Sequence, residues 1–398
     1  MSRVLVLGAA GGVGGVAARA LATVEDVGLL VVADQDAAAV RQLAAELDPT
    51  GSRVVGSGVD VADPASLAAA LAGADLVVNC VGPFFRFGPP TLRAAIAAGV
   101  DYVDVCDDLD PTREMLALDT AAKEAGVRAL IGMGNSPGVA NVLVRLCAET
   151  LLDRVEAVDI MHVHGGEPDE GAAVIHHRIH AMTNDVPLFV DGAFVTVRQL
   201  EESGQAFVRE ADFRDVGRLP VFPYPHPETI TLPQHVPGLR RATNLGVITP
   251  LAYFRLTQDL VRAADPAAGF DDVVARLQAE RPRLLAEAGL TGPVGCLRVS
   301  VTGEKGGDPH GYVFQLSSRS AGAGEGTGIP AAAGAALMLR GEAGAPGVLP
   351  PEAAVSPGPF LALAFDLLGR LGTDQHAGTS IVVEHTGPDG DVDLLPIG

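Results

Sequence analysis

The sequence predicts an α/β protein with a doubly wound parallel sheet and a second domain built on a mainly antiparallel sheet. Two observations lead to this fold class. Short apolar runs alternate with helix-forming runs through the first 135 residues, and beyond about residue 152 strand candidates follow one another with few helices between them. Strands that alternate with helices are joined by right-handed crossovers, which produce a parallel sheet.

The composition of the whole chain narrows the class of protein. Its 398 residues, 48% of them hydrophobic, are enough for two domains. A formal net charge of −21 argues against nucleic acid or an anionic membrane as a partner, because phosphate binding needs a basic surface. The four cysteines include no C-x-x-C pair, so neither a disulfide framework nor a cysteine zinc site is expected.

The apolar patterning predicts a cytoplasmic protein that does not enter a membrane. A strand candidate begins at Arg3, which leaves no room for a signal peptide. No apolar run approaches the roughly 20 residues that a membrane-spanning helix needs.

The first strand candidate leads into a glycine-rich turn. The run RVLVL at residues 3–7 is followed directly by GAAGGVGG and then by the helix candidate VAARALATV. The spacing Gly8-x-x-Gly11-x-x-Gly14 is a variant of the dinucleotide-binding fingerprint. In that fingerprint the three glycines allow a tight turn, close approach of the backbone to a pyrophosphate, and packing of the helix on the strand. The first domain is therefore predicted to be a Rossmann domain whose first helix receives a diphosphate at its N-terminus.

An acidic residue ends the second strand candidate, VGLLVVAD. Asp34 stands where the ribose hydroxyls of NAD are held in this fold. A carboxylate there repels a 2′-phosphate, and neither Gln35 nor Asp36 supplies a positive charge to counter it. NAD is therefore favoured over NADP. The alternative is that Asp34 only caps the next helix candidate, AAAVRQLAAEL.

Four more strand candidates and their helices complete the parallel pattern. The strands are RVVGSGVDV, which carries Asp60 and Val61 at its end, ADLVVNCVGP, VDYVDVCDD and VRALIGMG. The helices between the later strands are PPTLRAAIAAG and PTREMLALDTAAKEAG. Ligands of such sheets bind beyond the carboxyl ends of the strands. One crevice is therefore expected to collect Gly8, Asp34, Asp60, Gly82–Phe84, Cys106–Asp108 and the turn that opens GNSPG.

The segment Gly134–Gly138, GNSPG, matches the G-x-S-x-G pattern of hydrolases. In that pattern the backbone N–H after the serine stabilises the oxyanion. The next residue here is Pro137, which has no N–H. Ser136 is therefore not a nucleophile, and we expect it to cap the helix candidate GVANVLVRLCAET.

The pattern of the second half of the chain predicts a series of strands interrupted by two helices. Asp191-Gly192 within VPLFVDGAFVTVR predicts a hairpin turn. The other strand candidates are RVEAVDIMHVHGG, ETITLP, RRATNLGVI, GCLRVSVTGE and GYVFQLSSRS, and the helices are expected at about 251–264 and 271–288. This pattern predicts an antiparallel sheet with helices on one face, a flat surface suited to a homodimer. The run AGAGEGTGIP is predicted to be a crossing loop rather than a phosphate loop, because no lysine follows it.

Three stretches of the sequence resemble a known family. They are NCVGPFFRFGPPTLRAAIAAGVDYVDVCDD, GNSPGVANVL and GTGIPAAAGAALMLRGE followed by GVLPPE. These stretches look like the saccharopine dehydrogenase-like oxidoreductases, a group with saccharopine reductases, lysine 6-dehydrogenases and carboxynorspermidine dehydrogenases. The resemblance runs from the N-terminus to about residue 355.

The resemblance implies a discontinuous Rossmann domain with an inserted α+β domain. The boundaries expected from it are 1–135 and about 325–398 for the NAD-binding domain, and 136–324 for the domain of substrate binding and dimerisation. By resemblance, cofactor positions fall at Gly8, Gly11, Val13, Asp34, Asp60, Cys80, Val81 and Gly82. Their neighbours Ala10, Gly12, Gln35, Val61 and Pro83 are further candidates for cofactor binding. The stretches VCDD and SPGVAN match the floor of the nicotinamide and substrate site, which adds Cys106, Ser136 and Asn141.

Histidines and charged residues supply candidates for the chemistry. His176 and His180 have the i, i+4 spacing of a helical zinc pair but lack the HExxH glutamate, so no metal is assigned. The open alternatives are histidines on a solvated or dimer-facing helix, and a histidine that moves a proton, for which His177 is the choice. Further candidates for substrate contact are Arg86, Asp107, Asp108, Arg178 and Tyr224, because an arginine can clamp a carboxylate and paired acids can hold an ammonium.

The function expected from these residues and the resemblance is NAD-dependent hydride transfer. The substrate would carry a C–N bond, an amine or imine of an amino-acid or polyamine-like molecule, with Asp107 or Asp108 orienting the amine. Two alternatives stay open: reduction of a C=C bond, as in the enoyl reductases that share NCVGPF, and a protein that binds NAD without turnover. The substrate itself, the direction of the reaction and the acid–base residue are not determined by the sequence.

Overall fold

A computed structural model describes residues 2–318, 324–372 and 380–395 of the chain. These residues form two compact units. The first unit comprises residues 2–146 and 324–372, and the second comprises residues 147–318 and 380–395. Among the described residues no helix is both long enough and apolar enough to cross a bilayer.

The strands and helices are numbered here along the chain. The strands are β1 (Ser2–Leu7), β2 (Val27–Asp34), β3 (Val54–Gly58), β4 (Leu76–Asn79), β5 (Asp101–Asp104), β6 (Arg128–Leu130), β7 (Arg154–Gly165), β8 (Asp185–Val190), β9 (Ala193–Arg198), β10 (Arg209–Phe213), β11 (Gly217–Pro223), β12 (Arg241–Thr249), β13 (Val294–Lys305), β14 (Asp308–Ser318), β15 (Gly347–Leu349), β16 (Ser380–Thr386) and β17 (Val392–Leu395). The helices are α1 (Gly12–Ala22), α2 (Ala37–Leu47), α3 (Pro64–Leu71), α4 (Phe84–Ala98), α5 (Leu109–Leu116), α6 (Asp119–Ala125), α7 (Val139–Leu146), α8 (Ala172–Thr183), α9 (Glu202–Gln205), α10 (Glu228–His235), α11 (Leu251–Ala263), α12 (Asp271–Glu287), α13 (Gly324–Leu339), α14 (Pro351–Ala354) and α15 (Pro357–Arg370). A π-helical turn, Cys147–Leu151, follows α7.

The first unit is a parallel sheet of seven strands in the order β15-β6-β5-β4-β1-β2-β3. All its neighbouring strands run parallel. The central strands are apolar because helices cover both faces of such a sheet, and Leu5, Leu7 and Val77 have no exposed surface. This confirms the predicted doubly wound sheet. Strand β15 was not among the strand candidates, because its three residues are too few to show a period.

The second unit is a sheet of ten strands, mixed but mainly antiparallel. Its backbone path is β10-β11-β12-β7-β13-β14-β16-β17, with the hairpin β8–β9 paired to β12, and only β7 and β12 run parallel. An apolar cluster that includes Val163, Ile175 and Phe254 packs α8 and α11 against this sheet. The turn of the β8–β9 hairpin lies at Asp191 (φ 53°) and Gly192 (φ 82°), as predicted.

Three segments differ from the predicted elements. The segment ETITLP is the start of α10 rather than a strand. Its threonines are as buried as Ile230 and Leu232, so the alternation of polar and apolar residues does not mark an exposed and a buried face of a strand. The single helix expected at 111–126 is two helices, α5 and α6. The glycine-rich segment after residue 323 is the first part of α13 rather than a loop. A Cβ at Gly328 would lie 2.6 Å from the carbonyl oxygen of Val13, so the glycine lets α13 pack closely on α1.

The boundaries between the two units also differ from those expected. Helix α7 belongs to the first unit, where it packs on α14 and α15, so the first boundary falls after Leu146 rather than at residue 135. Residues 380–395 belong to the second unit rather than to the Rossmann domain. The reason is backbone pairing: β16 extends the second sheet by lying antiparallel to β14, and β17 pairs with β16.

Candidate active site

The glycine-rich turn after β1 is compact because two of its glycines touch backbone. Gly8 has φ 78°, and a Cβ on it would lie 2.9 Å from the carbonyl oxygen of Cys80. A Cβ on Gly14 would lie 2.2 Å from the carbonyl oxygen of Gly8. The turn and the first helix can therefore reach this separation only with glycine at both positions, which matches the roles expected from the spacing.

The outer side of the same turn is open. Ala10, Gly11 and Gly12 are exposed, and a Cβ on Gly12 would meet nothing within 4 Å. Helix α1 begins at Gly12, so the N–H groups of its first turn point toward this open side. A diphosphate fits such a cradle, because small residues leave room for it and the helix N-terminus favours its charge.

Asp34 joins the end of β2 to the glycine turn. Its Oδ2 accepts the N–H of Ala10 (3.2 Å), and its Oδ1 accepts the N–H of Asp36 (3.1 Å). The alternative interpretation of Asp34 as a helix cap is wrong: Asp36 caps α2, accepting the N–H groups of Ala38 and Ala39. The Asp34 carboxylate is partly exposed beside the cradle, and Gln35 next to it is exposed.

Asp60 follows β3 on the same side of the sheet. Its Oδ1 accepts the N–H of Ala62 (2.9 Å), and its own N–H donates to Ser66 Oγ (3.0 Å). Asp60 is exposed, and Val61 packs partly against the core of the first unit. Both residues therefore keep accessible surface beyond the carboxyl end of β3, where the ligand crevice is expected.

The segment between β4 and α4 also lies at the edge of the sheet formed by the carboxyl ends of the strands. The N–H of Val81 donates to Asn79 Oδ1 (3.1 Å), and Gly82 and Pro83 are exposed. Cys80 is half-buried, and desolvation followed by the charge of Asp104 raises the pKa of its thiol to about 12. The thiol is therefore protonated at neutral pH and is not a nucleophile.

A buried hydrogen-bonded network lies beneath this edge. Asn79 Nδ2 donates to Tyr102 Oη (3.1 Å), and the Tyr102 hydroxyl donates to Asp104 Oδ2 (2.9 Å). Asp104 Oδ1 accepts the N–H groups of Cys106 (3.0 Å) and Gly132 (2.7 Å). Asn79, Tyr102 and Asp104 have no exposed surface. The network ties the carboxyl ends of β4 and β5 to the segment after β6.

Burial raises the pKa of the Asp104 carboxyl to about 6, although its hydrogen bonds to Gly132, Cys106 and Tyr102 act in the opposite direction. The sequence analysis did not single out Asp104. The available signal was an acid in the middle of VDYVDV, because an acid within a buried strand is retained only when it has partners.

Two residues assigned to substrate contact are buried instead. Cys106 has no exposed surface, and its Sγ lies 3.6 Å from the carbonyl oxygen of Asp108 and 3.7 Å from Thr112 Oγ1. Asn141 also has none: its Oδ1 accepts the N–H of Gly138 (2.9 Å) and its Nδ2 donates to Glu352 Oε2 (2.8 Å). Both side chains stabilise loops from inside, so the assignment of Cys106 and Asn141 to substrate contact is corrected.

Other candidates of the first unit keep accessible surface. Asp107, Asp108 and Ser136 are half-buried, and the carbonyl oxygen of Asp108 accepts the hydroxyl of Thr112 (2.8 Å) at the start of α5. Arg86 is exposed, with its guanidinium 4.9 Å from the centre of the Phe87 ring.

Six histidines of the second unit fall into two groups. Three lie on α8, where His176 Nε2 is 3.2 Å from Asp271 Oδ1, His180 Nε2 is 2.7 Å from Asn184 Nδ2, and His177 is half-buried. Within residues 2–318, 324–372 and 380–395, no three His, Cys, Asp or Glu side chains converge as metal ligands.

The second group is an aromatic cluster of His162, His164, Tyr224 and His226. The His162 ring is stacked on His226 (5.3 Å between centroids) and on His164 (6.2 Å), and Tyr224 meets His162 edge-on at 5.1 Å. A Cβ on Gly246 would lie 2.2 Å from His162 Cε1, so glycine on β12 makes room for the imidazole. Of these four residues the sequence analysis singled out only Tyr224, because β7, β12 and the segment after β11 meet only in the folded sheet.

Desolvation lowers the pKa of both imidazoles on β7. It takes the pKa of His162 well below its ordinary value, and with the charge of Arg178 it lowers the pKa of His164 to about 4. Both rings are therefore neutral at pH 7 and can accept a hydrogen bond from a cation or a hydroxyl.

Arg178 belongs to a buried charge cluster and not to an open clamp. It is 1% exposed, and both its Nη atoms donate to Glu170. Glu170 Oε2 also accepts the Tyr253 hydroxyl (2.8 Å) and Nη1 of Arg281 (3.2 Å). Because the two Nη atoms are engaged, Arg178 cannot clamp a substrate carboxylate as expected. Tyr224, 8% exposed within the aromatic cluster, presents little surface to a ligand.

Comparison with known proteins relates this site to a family. Residues 4–130 match the family described as the saccharopine dehydrogenase NADP binding domain. The chain is 26% identical over 407 residues to carboxyaminopropylagmatine dehydrogenase from Synechocystis sp., a match that covers 94% of this chain and 97% of that protein. The chain is therefore similar to saccharopine dehydrogenase-like proteins, over its first 130 residues by the family match and over most of its length by this relative.

One more relative and one solved structure are also similar to this chain. Carboxynorspermidine synthase from Vibrio cholerae is 26% identical over 322 residues, covering 72% of this chain and 74% of that protein. The structure of saccharopine dehydrogenase (L-Glu forming) from Saccharomyces cerevisiae matches all of both chains with a TM-score of 0.67 and 16% identity. At that identity the structural match shows a shared fold.

Proposed function

We propose that this saccharopine dehydrogenase-like protein is an NAD-dependent oxidoreductase that acts on a C–N bond, as an amine dehydrogenase or imine reductase. The observation that carries the proposal is the open glycine cradle at the N-terminus of α1 with the Asp34 carboxylate beside it. When bound, a nicotinamide cofactor supplies the hydride acceptor or donor. The diphosphate would lie against Gly11 and Gly12, the ribose hydroxyls at Asp34, and the adenine near Asp60.

The choice of NAD over NADP rests on charge. A 2′-phosphate on the adenine ribose would lie close to the Asp34 carboxylate, and two such charges 4 Å apart repel by about 1 kcal/mol in water and about 4 kcal/mol near a protein surface. No positive side chain stands at Gln35 or Asp36 to offset that repulsion. This argument favours NAD even though the matched family is described by its NADP binding domain.

The substrate class we propose is an amino-acid or polyamine-like amine. Two relatives are named for carboxylated amines of this kind, carboxyaminopropylagmatine and carboxynorspermidine. In this chain the half-buried Asp107 and Asp108 follow β5 and would hold the ammonium by charge-assisted hydrogen bonds.

Loss of hydride from an amine carbon requires a free nitrogen lone pair, so a base must take the ammonium proton. We propose His177 for this role. His162 and His164 are weaker candidates, because their lowered pKa values make them poor bases at pH 7.

We propose that the protein acts as a homodimer in the cytoplasm, with the second sheet as the dimer surface. Light scattering coupled to size exclusion tests the oligomeric state, and a monomer at micromolar concentration would contradict it.

The function is tested by following nicotinamide absorbance while amines, or amine and 2-oxo acid mixtures, are screened with NAD(H). We expect turnover with at least one amine or imine. We expect at least one of the variants Asp107→Asn and Asp108→Asn to have a KM for the amine that is at least tenfold higher than that of wild type. Asp110→Asn is the matched control, an exposed acid on α5 that pairs with Arg113 at 3.2 Å, and it should behave as wild type.

Three outcomes would contradict the proposal. NAD binding without turnover of any substrate would indicate a non-catalytic binding protein. Turnover of enoyl compounds alone would indicate C=C reduction. Equal KM values in all three acid variants would remove Asp107 and Asp108 from the substrate site.

A further inference from the structure

A cavity lies wholly within the second unit, where α11 faces β10 and β11. Its volume is about 330 Å³, at the lower end of the range of small-molecule sites. Its lining includes Phe222, which is 5% exposed, and a set of polar side chains that the proposed reaction does not use.

A buried amide lines this cavity without a partner. Gln258 is 5% exposed, and its Nε2 has no hydrogen-bond partner among the described residues. Leaving a buried polar group without a hydrogen bond is unfavourable. A ligand with an acceptor atom in the cavity would recover that free energy.

The cavity also carries opposite charges that do not meet. Arg262 pairs with Asp259 at 3.3 Å. Among the described residues, neither Arg255 nor Glu210 has an oppositely charged side-chain atom within 4.0 Å. Both side chains are exposed and line the same cavity. A cation and an anion held apart in one cavity can both be satisfied by a molecule that carries the two opposite charges.

We propose that this cavity is a binding site for a small zwitterionic amino acid. The carboxylate of the ligand would pair with Arg255 and accept a hydrogen bond from the Gln258 amide. The ammonium of the ligand would pair with Glu210. A molecule with a single charge would leave either Arg255 or Glu210 unpaired. The site goes beyond the proposed oxidoreductase function and does not depend on it.

Calorimetric titration of the full chain tests the proposal. The probes are glycine, L-glutamate, L-lysine and 4-aminobutyrate, with acetate and methylamine as molecules of one charge. We expect at least one zwitterion to bind at least tenfold more tightly than acetate or methylamine. In Arg255→Met and Glu210→Gln its affinity should fall at least tenfold. The matched control is Arg276→Met, an exposed arginine on α12 outside the cavity, which should leave the affinity unchanged.

The readout separates this site from the active site. Because Arg255 and Glu210 are exposed, their variants should fold as wild type by circular dichroism and bind NAD with unchanged affinity. The proposal is overturned if no zwitterion binds more tightly than acetate and methylamine. It is equally overturned if the Arg255 and Glu210 variants bind the zwitterion as wild type does, since the ligand would then lie elsewhere.

Discussion

Replacing Gly14 by alanine should destabilise the first unit and weaken the proposed binding of NAD. The added Cβ would lie 2.2 Å from the carbonyl oxygen of Gly8, and real Cβ atoms essentially never lie closer than 3.0 Å to a neighbour, so α1 must move by at least 0.8 Å. Gly8 cannot yield, because its other side lies against the backbone of Cys80. Overpacking of this kind costs about 1–3 kcal/mol.

Urea denaturation followed by circular dichroism measures this cost, and calorimetry measures NAD affinity. We expect a lower denaturation midpoint and a Kd for NAD raised at least tenfold, because the N–H groups of the first turn move with α1. Gly12→Ala is the matched control in the same helix. Its Cβ meets nothing within 4 Å, so stability should be unchanged or higher by up to about 1 kcal/mol.

The reasoning is refuted if Gly14→Ala unfolds at the wild-type midpoint. It is also refuted if Gly12→Ala is destabilised as much as Gly14→Ala, because the loss would then come from alanine in this turn in general and not from the contact with Gly8.

Three more predictions concern charge and space. Asp34→Asn keeps a side-chain oxygen that can accept an N–H but removes the charge, so the ratio of NADP to NAD affinity should rise at least tenfold by calorimetry; an unchanged ratio would show that Asp34 does not set the preference. The pKa of Asp104 in the folded protein is about 6, above its ordinary value of 3.8, so between these pH values the folded state binds more protons than the unfolded state. The free energy of unfolding should therefore fall as pH rises from about 4 to 6, and this group contributes about 3 kcal/mol to the fall. Asp104→Asn should remove that part of the pH dependence in urea titrations, and an identical pH profile would contradict the assignment. Gly246→Ala should displace His162 and cost about 1–3 kcal/mol, whereas Gly295→Ala, whose Cβ would have an ordinary 3.5 Å contact, should be tolerated; His162→Ala in the Gly246→Ala background should restore stability, and failure to do so would refute the steric account.

The glycine turn and the acid at the end of β2 could be predicted because their signals are local in sequence. Gly8, Gly14 and Asp34 owe their positions to a turn and to the end of one strand, and both features are specified by neighbouring residues. The structure bears out this local geometry, with positive φ at Gly8 and a hydrogen bond from Ala10 to Asp34.

The surroundings of the substrate-contact candidates could not be predicted in the same way. Cys106, Asn141 and Arg178 had suitable chemistry and suitable positions along the chain, yet each is directed into the interior by partners distant in sequence or by packing. Asn141 meets Glu352, 211 residues later, and that contact exists only after α7 packs on α14. Whether a side chain points into a crevice or into the interior depends on such packing, which no local sequence pattern encodes.

Residues close along the chain determined the parallel sheet, the glycine turn and the acid at the tip of β2, since apolar period and turn chemistry act over a few residues. Long-range contacts decided the rest: the helix formed by ETITLP, the return of the C-terminal strands to the second sheet, and the buried partners of Asp104 and Arg178. The physical reason is that burial is a property of the assembled chain. A side chain has a solvent-facing or interior position, and therefore its pKa and its access to ligands, only once distant segments have packed around it.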